Sequence, residues 1–355
     1  MNETNSKELH QEITTPPSKD EIKKIYDEYI SKNSTPTGIV FEITDHCPNN
    51  CAHCYADRII GKGKTMMSPE TYRNWLEVLS SYPDDKKPKQ IWLVGGEPTE
   101  SPYLSDFIRE SKEKGFEAVL VTTGERLRDE EYCQKIASNL DEVDVTIRGF
   151  GGTHDVMMLP KNNAPLLSSI PENISPKEQI MSVIQEIAID KNEDTKKYTD
   201  ITKEHFSNTI KGLLNIAKAK QNNPNLKIAL NIDLQEGTDL EQIIYYLNTL
   251  KIPIDNIILQ VQTFPETNQQ LANVYPNKWR VPTTDMIKSY YLQTLKLRRG
   301  NIFSGEINII DPLPINIVEN LVAQGINLNE NKFYLPAKTP AISPWGKLRP
   351  DVLLE

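Results

Sequence analysis

Three closely spaced cysteines constrain this chain more than any other feature of its sequence. Cys47, Cys51 and Cys54 have the spacing C-x3-C-x2-C and directly follow an apolar stretch that predicts a strand. Three thiolates on one tight loop can bind three irons of a cubane cluster and leave the fourth iron without a protein ligand. The alternative is a tetrahedral zinc site in which His46 or His53 supplies the fourth ligand. The spacing therefore predicts a metal centre rather than a disulfide framework.

Composition excludes several other classes of protein. A chain of 355 residues with 38% hydrophobic residues can bury one large core. The net charge of -9 is spread along the chain, which argues against a general electrostatic grip on nucleic acid. No segment approaches the roughly 18 apolar residues that a membrane span needs, and the polar first 20 residues hold no signal-peptide core. We therefore expect a cytoplasmic protein that acts without a membrane.

Short apolar strands alternate with longer amphipathic segments from Gly38 onward, and this order predicts an α/β fold with a parallel sheet. Six such units would form a partial (βα)6 TIM-like barrel, with the chemistry in loops at the carboxyl ends of its strands. The predicted strands are Ile39 to Ile43, Gln90 to Leu93, Ala118 to Thr122, Glu142 to Ile147, Lys227 to Leu234 and Asn256 to Gln262. The predicted helices are Asp20 to Ser31, Pro69 to Leu79, Leu104 to Lys114, Glu130 to Leu140, His205 to Lys220, Asp239 to Leu250 and Thr284 to Arg298.

The same pattern divides the chain into three parts. Residues 1–37 are an N-terminal extension, residues 38–263 form the barrel, and residues 264–355 are a C-terminal extension that closes the barrel or binds substrate. The barrel is interrupted at about 155–202 by an insertion, which is far longer than an ordinary connection and is typical of lids or binding segments. We expect neither a cobalamin-binding domain in the short N-terminal extension nor Cys-ligated auxiliary clusters after Cys133, the last cysteine.

A second motif, Gly95-Gly96-Glu97-Pro98, stands at the end of the second predicted strand. Two glycines let the backbone approach a ligand closely, and exposed peptide groups with a carboxylate suit a ligand ammonium group. By itself the motif could be a simple strand-ending turn. After the cysteine triplet it indicates a cofactor site instead.

Together these segments resemble the radical S-adenosylmethionine (SAM) superfamily from about Gly38 to Thr263. The matching features are the cysteine triplet, MSPETY, LVGGEPT, VLVTTG and VTIRGFGGTHD, in the family's order. The resemblance implies that a [4Fe-4S] cluster binds SAM through the amino and carboxylate groups of its methionine part. One electron from the cluster then cleaves SAM to methionine and a 5'-deoxyadenosyl radical, which abstracts hydrogen from a substrate.

The resemblance also implies roles for individual residues. The cluster ligands would be Cys47, Cys51 and Cys54, and the contacts to the methionine amino group would be Gly95, Gly96 and Glu97.

Three further residues would complete the cofactor site by the same resemblance. His53 would lie near the adenine, whereas Thr123 and Arg148 would contact the ribose or the methionine carboxylate. A guanidinium can grip a carboxylate through two hydrogen bonds, although Arg148 could equally form a surface ion pair. Thr123 stands where many relatives have Asn, since this chain has TTG for TNG.

The substrate side of the site is less defined. His154, Asn231 and Asp233 are candidate catalytic residues, because His154 follows the fourth strand and the other two alternate toward one face of the fifth. Cys133 is expected to be a structural thiol on an outer helix. Met157 and Met158 are expected to pack rather than to contact substrate.

The resemblance predicts a radical SAM enzyme that acts on a small molecule or a short peptide. Its partners would be that substrate and an electron donor of the flavodoxin or ferredoxin type, with nucleic acid unlikely. One alternative is a radical SAM maturase of a ribosomally made peptide. The other is a non-catalytic iron-sulfur or zinc-binding barrel, which would not cleave SAM.

Overall fold

The computed structural model describes most of the predicted barrel and parts of the C-terminal extension. The described residues are 16–49, 51, 65–149, 158, 205–234, 238–261, 284–309, 332–333, 341–343 and 348–349. Their helices are α1 (Lys19–Lys32), α2 (Pro69–Ser80), α3 (Leu104–Glu113), α4 (Glu130–Ala137), α5 (His205–Ala219), α6 (Leu240–Thr249) and α7 (Thr284–Arg299). Their strands are β1 (Gly38–Thr44), β2 (Gln90–Gly95), β3 (Glu117–Thr122), β4 (Glu142–Ile147), β5 (Lys227–Leu234), β6 (Asn256–Val261), β7 (Glu306–Ile309), β8 (Lys332–Phe333), β9 (Ala341–Ile342) and β10 (Leu348–Arg349).

The ten strands form one sheet in the order β10-β9-β1-β2-β3-β4-β5-β6-β7-β8. Every neighbouring pair from β9 to β8 is parallel, and β10 alone runs antiparallel to its neighbour β9. The carboxyl ends of β1 to β6 therefore meet at one edge of the sheet. This edge is where the loops that carry both sequence motifs begin.

The predicted α/β fold and its parallel barrel sheet are confirmed. The six predicted strands correspond to β1 through β6, and each predicted helix is present with ends that shift by a few residues. The sheet is wider than six strands because segments of the C-terminal extension add to both of its sides. Strand β9 pairs with β1, while β7 and β8 continue the sheet beyond β6.

The alternation of side chains along the strands separates an apolar outer face from a more polar inner face. On β1, Ile39, Phe41 and Ile43 belong to the main hydrophobic core, which also includes Trp75 and Phe107 from the helices. Successive residues of a strand point to opposite faces, so the intervening residues of β1 face the barrel interior. The outer face thus holds the sheet and its helices together, and the inner face is available for polar groups.

The N-terminal extension contributes one well-defined helix to this outer layer. Helix α1 begins at a capping box in which Ser18 accepts a hydrogen bond from the Glu21 amide and Glu21 accepts one from the Ser18 amide. Its residues Ile22 and Tyr26 are completely buried, and the Tyr26 hydroxyl donates to the Lys86 carbonyl at 3.0 Å. None of the helices in the described ranges combines the length and apolar character that a membrane span requires.

Helix α5 packs one face against the turn that follows β3. A side chain at Gly212 would place its Cβ 2.2 Å from the Gly124 carbonyl oxygen, so only glycine fits there. Thr209, one helical turn earlier, donates from its hydroxyl to the Thr123 carbonyl at 2.9 Å. The close approach of α5 therefore fixes the turn that begins at Thr123.

We predict that Gly212→Ala lowers the free energy of unfolding by about 1–3 kcal/mol, because the added methyl group forces α5 away from the turn. Urea denaturation of the apo-protein measures the change. The control is Lys211→Ala, at an exposed position of the same helix, which should change stability by less than about 0.5 kcal/mol. Equal effects of the two substitutions would contradict this packing.

Candidate active site

The cysteine loop leaves the sheet at the carboxyl end of β1 and returns beside it. The Thr44 hydroxyl donates to the Thr65 carbonyl at 3.1 Å, and the Thr65 amide donates to Asp45 Oδ1 at 2.7 Å. Within this closed loop, Cys51 is 7% exposed and Cys47 is half-buried. Two of the three predicted ligands therefore lie on one loop at the edge where the barrel opens.

The Gly-Gly-Glu turn after β2 is joined to this loop through its backbone. The Gly96 amide donates to the Thr44 carbonyl at 2.7 Å, and the Glu97 amide donates to the His46 carbonyl at 2.8 Å. Gly95 has a φ of 145°, and a Cβ there would lie 2.2 Å from the Thr44 oxygen. The two motifs of the sequence therefore form a single structure, and the glycines are required for it.

The Glu97 carboxylate connects the ends of β2 and β3. It is 3% exposed, and its Oε1 accepts from the Thr122 hydroxyl at 2.6 Å and from the amide and hydroxyl of Thr99 at 3.2 and 2.6 Å. Its Oε2 accepts from the amide and hydroxyl of Thr123 at 3.0 and 2.9 Å. Five donors thus surround the carboxylate, and its contact with a methionine amino group stays a prediction, as does the contact of Thr123 with SAM.

Arg148 and Asp233 lie together at the ends of β4 and β5. Arg148 Nε is 3.0 Å from Asp233 Oδ2, and the two side chains are 17% and 6% exposed. Burial raises the pKa of the Asp233 carboxyl, and Arg148 partly offsets this rise. The ion pair is therefore buried, unlike the surface pair considered from the sequence, and the contact of Arg148 with a SAM carboxylate stays a prediction.

Met158, from the start of the insertion, packs against both groups. Its side chain is completely buried, with Sδ 3.6 Å from Cys51 Sγ and 3.4 Å from Arg148 Nη1. The expected packing role is thus observed, but the packing partner is a predicted cluster ligand. No sequence pattern relates Met158 to Cys51, because the contact depends on how the chain returns to the barrel.

Polar side chains continue into the barrel below this ion pair. Asn231 pairs with Thr146 across β5 and β4, and it shares the inner face of β5 with Asp233. In the described part of the chain, Oδ1 of Asn231 and Oδ1 of Asp144 are buried without a hydrogen-bond partner. Sequence reasoning placed Asn231 and Asp233 on this face but missed Asp144, which alternates in the same way along β4.

Asp144 is 1% exposed and lies beside Glu142 on the inner face of β4. Burial, the charge of Glu142 and a hydrogen bond to Glu142 raise the pKa of Asp144 well above its usual value. Burial also raises the pKa of Glu142, although the same hydrogen bond lowers it. Asp144 is therefore the group that holds the proton and donates it to Glu142.

A cavity of 620 Å³ borders both motifs on the side of the turn after β3. Its lining includes Asn49 of the cysteine loop, Glu97, Thr123, Glu125 and Arg126. Polar and charged groups thus surround the space beside the cysteine loop. His53, Cys54, His154 and Met157 lie outside the described residues.

Cys133 is a structural thiol, as predicted. It is completely buried in the main core, and burial raises its pKa to about 12. A thiol in this state is a poor metal ligand, since metals bind the thiolate. Among the described cysteines, Cys47 and Cys51 therefore remain the predicted metal ligands.

The described residues fit an iron-sulfur cluster with one open iron. Cys47 and Cys51 present soft sulfur ligands at the barrel edge, and the glycine turn packs its backbone against Thr44 and His46, just before Cys47. Residues 41–165 match the family model of the radical SAM superfamily. The chain carries a radical SAM domain.

Known proteins similar to the chain include several radical SAM enzymes. Fe-coproporphyrin III synthase of Methanosarcina barkeri (strain Fusaro / DSM 804) is 31% identical over 126 residues, which cover 35% of this chain and 30% of the synthase. The S-adenosylmethionine-dependent nucleotide dehydratase of Flammeovirga pacifica is 22% identical over 254 residues, or 69% of this chain and 81% of the dehydratase. The matched part of the chain thus spans less than a third of the synthase but most of the dehydratase.

A solved structure supports the fold over a longer range. Streptococcus suis SuiB bound to the precursor peptide SuiA superposes with a TM-score of 0.55 and 13% sequence identity. The match covers 93% of this chain and 63% of SuiB. At this identity the likeness establishes the shared fold alone. The family whose model matches residues 41–165 uses a [4Fe-4S] cluster and SAM.

We predict that Asp144→Asn becomes more stabilising relative to the wild type as the pH rises. The unfolded chain releases the Asp144 proton near pH 4, whereas the folded protein retains it at higher pH, so the wild type loses stability as the pH rises toward the raised pKa. The amide of the Asp144→Asn variant does not titrate, so the variant does not lose stability in this way as the pH rises.

Urea denaturation of the apo-proteins at pH 5 and pH 8 measures this effect. The difference in free energy of unfolding, variant minus wild type, should be larger at pH 8 than at pH 5, because the pKa of Asp144 is raised in the folded protein. Asp84→Asn, at an exposed carboxyl, is the control and should give the same difference at both pH values. A difference for Asp144→Asn that does not change with pH would refute the buried proton.

Proposed function

We propose that the protein is a radical SAM enzyme in which Cys47, Cys51 and Cys54 bind a [4Fe-4S] cluster. The observation that carries this proposal is the pair of backbone hydrogen bonds from Gly96 and Glu97 to the start of the cysteine loop. A zinc site would need four protein ligands and no adjacent backbone turn for a cofactor. A three-cysteine loop joined to a glycine turn suits a cluster whose open iron is bound by a second ligand.

When bound, the cluster supplies one-electron reductive cleavage of SAM and so permits hydrogen-atom abstraction from a substrate. The chain's own residues orient and enclose the reactants. Gly95 and Gly96 offer peptide groups to the methionine part of SAM, and Arg148 offers its guanidinium to a carboxylate. Met158 covers Cys51 with an apolar side chain and keeps water from that ligand.

The substrate enters the barrel beside β4 and β5 in this proposal. Two buried acceptor oxygens, Asn231 Oδ1 and Asp144 Oδ1, lack donors within the described residues. A buried acceptor without a donor costs free energy, so a substrate that brings hydrogen-bond donors would be favoured here. The Arg148–Asp233 pair at the barrel mouth would position it against the cofactor.

A short peptide is the second candidate substrate, alongside a small molecule. SuiB was solved bound to the precursor peptide SuiA, and the fold of this chain is similar to SuiB over 93% of its length. A precursor peptide would supply many amide donors for the acceptors on β4 and β5. An electron donor of the flavodoxin or ferredoxin type would reduce the cluster in either case.

We predict that the anaerobically reconstituted wild type binds about four irons per chain and releases 5'-deoxyadenosine with dithionite and SAM. Cys51→Ala should lower the iron content and abolish this release, because it removes one of three cluster ligands. Iron analysis and mass spectrometry of the released nucleoside measure the two effects.

The matched control is Cys133→Ala, which removes a buried cysteine of the core instead. This variant should retain iron and release 5'-deoxyadenosine at the wild-type level. A fully iron-loaded wild type that releases none, even with cell extract supplying substrate, would leave the non-catalytic barrel as the better account. Release that is stimulated by the peptide fraction of an extract would favour the peptide substrate over the small molecule.

A further inference from the structure

A buried polar chain of three side chains connects the middle of the cysteine loop to helix α5. Asn49 Nδ2 donates to Glu125 Oε1 at 2.7 Å, and Glu125 Oε2 lies 2.9 Å from His205 Nδ1. The three residues come from the cysteine loop, from the short 3-10 helix Glu125–Arg128 after β3, and from the first turn of α5. They belong to neither sequence motif, although Asn49 stands between two predicted cluster ligands.

All three side chains are shielded from water. Asn49 is 6% exposed, and the side chains of His205 and Glu125 are 5% and 12% exposed. Water competes poorly for hydrogen bonds at such a site, and a bond to a charged carboxylate is stronger than one between neutral groups. The Asn49–Glu125 bond is therefore able to restrain the loop.

The Glu125 end of this bond is fixed by the structure around it. Helix α5 contacts the turn after β3 along one face, through His205, Thr209, Gly212 and Asn215. Thr209 donates to the Thr123 carbonyl, and the side chain of Asn215 donates to the Leu127 and Arg128 carbonyls at 2.9 Å. Because these contacts fix the position of Glu125, its hydrogen bond to Asn49 restrains the cysteine loop.

The cysteine loop is restrained at its ends by different contacts. Thr44, Asp45 and Thr65 form hydrogen bonds where the loop leaves and rejoins the sheet. Those bonds lie outside the stretch from Cys47 to Cys51, whereas Asn49 lies in its centre. A contact at the centre determines how the two thiols are spaced and directed.

We propose that Glu125 is a positioning residue that holds Asn49 and thereby sets the placement of Cys47 and Cys51 before a cluster binds. This role rests on the proposed function, because the loop that Glu125 positions is the one that would bind the cluster. Glu125 itself touches neither thiol in the contacts described, and it acts through Asn49.

The order of the loop can be measured without any cluster. In the reduced apo-protein, iodoacetamide labels each cysteine at a rate that depends on local opening, and mass spectrometry resolves Cys51 from Cys133. Because Cys133 is buried in the main core, its labelling reports global unfolding. The ratio of the Cys51 rate to the Cys133 rate therefore separates local opening around Cys51 from global unfolding.

Glu125→Ala and Asn49→Ala should each raise this ratio about tenfold or more, because each removes the same charge-assisted hydrogen bond. The double variant should be no worse than the stronger single variant, since both changes break one contact. Glu125→Gln should stay within about twofold of the wild type, because the introduced amide keeps an oxygen that can accept from Asn49. Lys218→Ala, which removes an exposed ion pair between α5 and Glu130 of α4, is the matched control and should leave the ratio unchanged.

The same variants have a spectroscopic readout after reconstitution. Glu125→Ala and Asn49→Ala should alter the electron paramagnetic resonance spectrum of the reduced cluster, and Glu125→Gln should restore it. A Cys51 ratio for Glu125→Ala and Asn49→Ala that equals that of Lys218→Ala would overturn the proposal. If Glu125→Ala does not fold, the labelling ratio of Asn49→Ala tests the positioning role instead. A wild type that fails to cleave SAM would refute the proposed function, whereas the labelling of the apo-protein would still test the role of Glu125.

Discussion

The close backbone contact between the turn after β2 and the start of the cysteine loop is the constraint on which the site depends. At Gly95 and Gly96 the two chains approach until a single added carbon would collide with a carbonyl oxygen of Thr44 or His46. The hydrogen bonds at 2.7 and 2.8 Å that result are possible only because β1 and β2 are parallel neighbours whose carboxyl ends coincide. A predicted metal-binding loop and a predicted cofactor-binding turn that are far apart in sequence thus become one surface.

Polar contacts extend this arrangement from β2 across the next strands. Glu97 gathers donors from the ends of β2 and β3, and the turn after β3 places Glu125 where it meets the cysteine loop. Helix α5 then fixes that turn through Gly212 and Thr209. The cluster loop therefore depends on elements up to β3 and α5, well beyond the strand that precedes it.

Much of this architecture could be predicted from the sequence because its signals are local. The apolar runs of β1 to β6 and the amphipathic helices have clear periodicity, and the cysteine spacing and the Gly-Gly-Glu turn are short continuous motifs. Strands β8, β9 and β10 have two residues each and leave no periodic pattern. Their place in the sheet is determined by pairing with β7 and β1, which sequence periodicity does not report.

The contacts that organise the site are non-local, and this is why the sequence did not predict them. Asn49 and Glu125 are 76 positions apart, and Cys51 and Met158 are 107 apart. Arg148 and Asp233 were each identified as site residues, yet nothing in the sequence indicated that they form a buried ion pair. Alternation along β4 would have pointed to Asp144, but its raised pKa depends on burial and on the neighbouring Glu142.

The central claim is that one iron of the cluster lacks a cysteine ligand and faces the Gly-Gly-Glu turn. Mössbauer spectroscopy of the protein reconstituted with 57Fe tests this most directly, since it resolves individual irons with and without SAM. The account predicts that SAM shifts the absorption of about one iron in four and leaves the others unchanged. A spectrum that SAM does not alter, or a protein that incorporates zinc in place of iron under the same conditions, would contradict it.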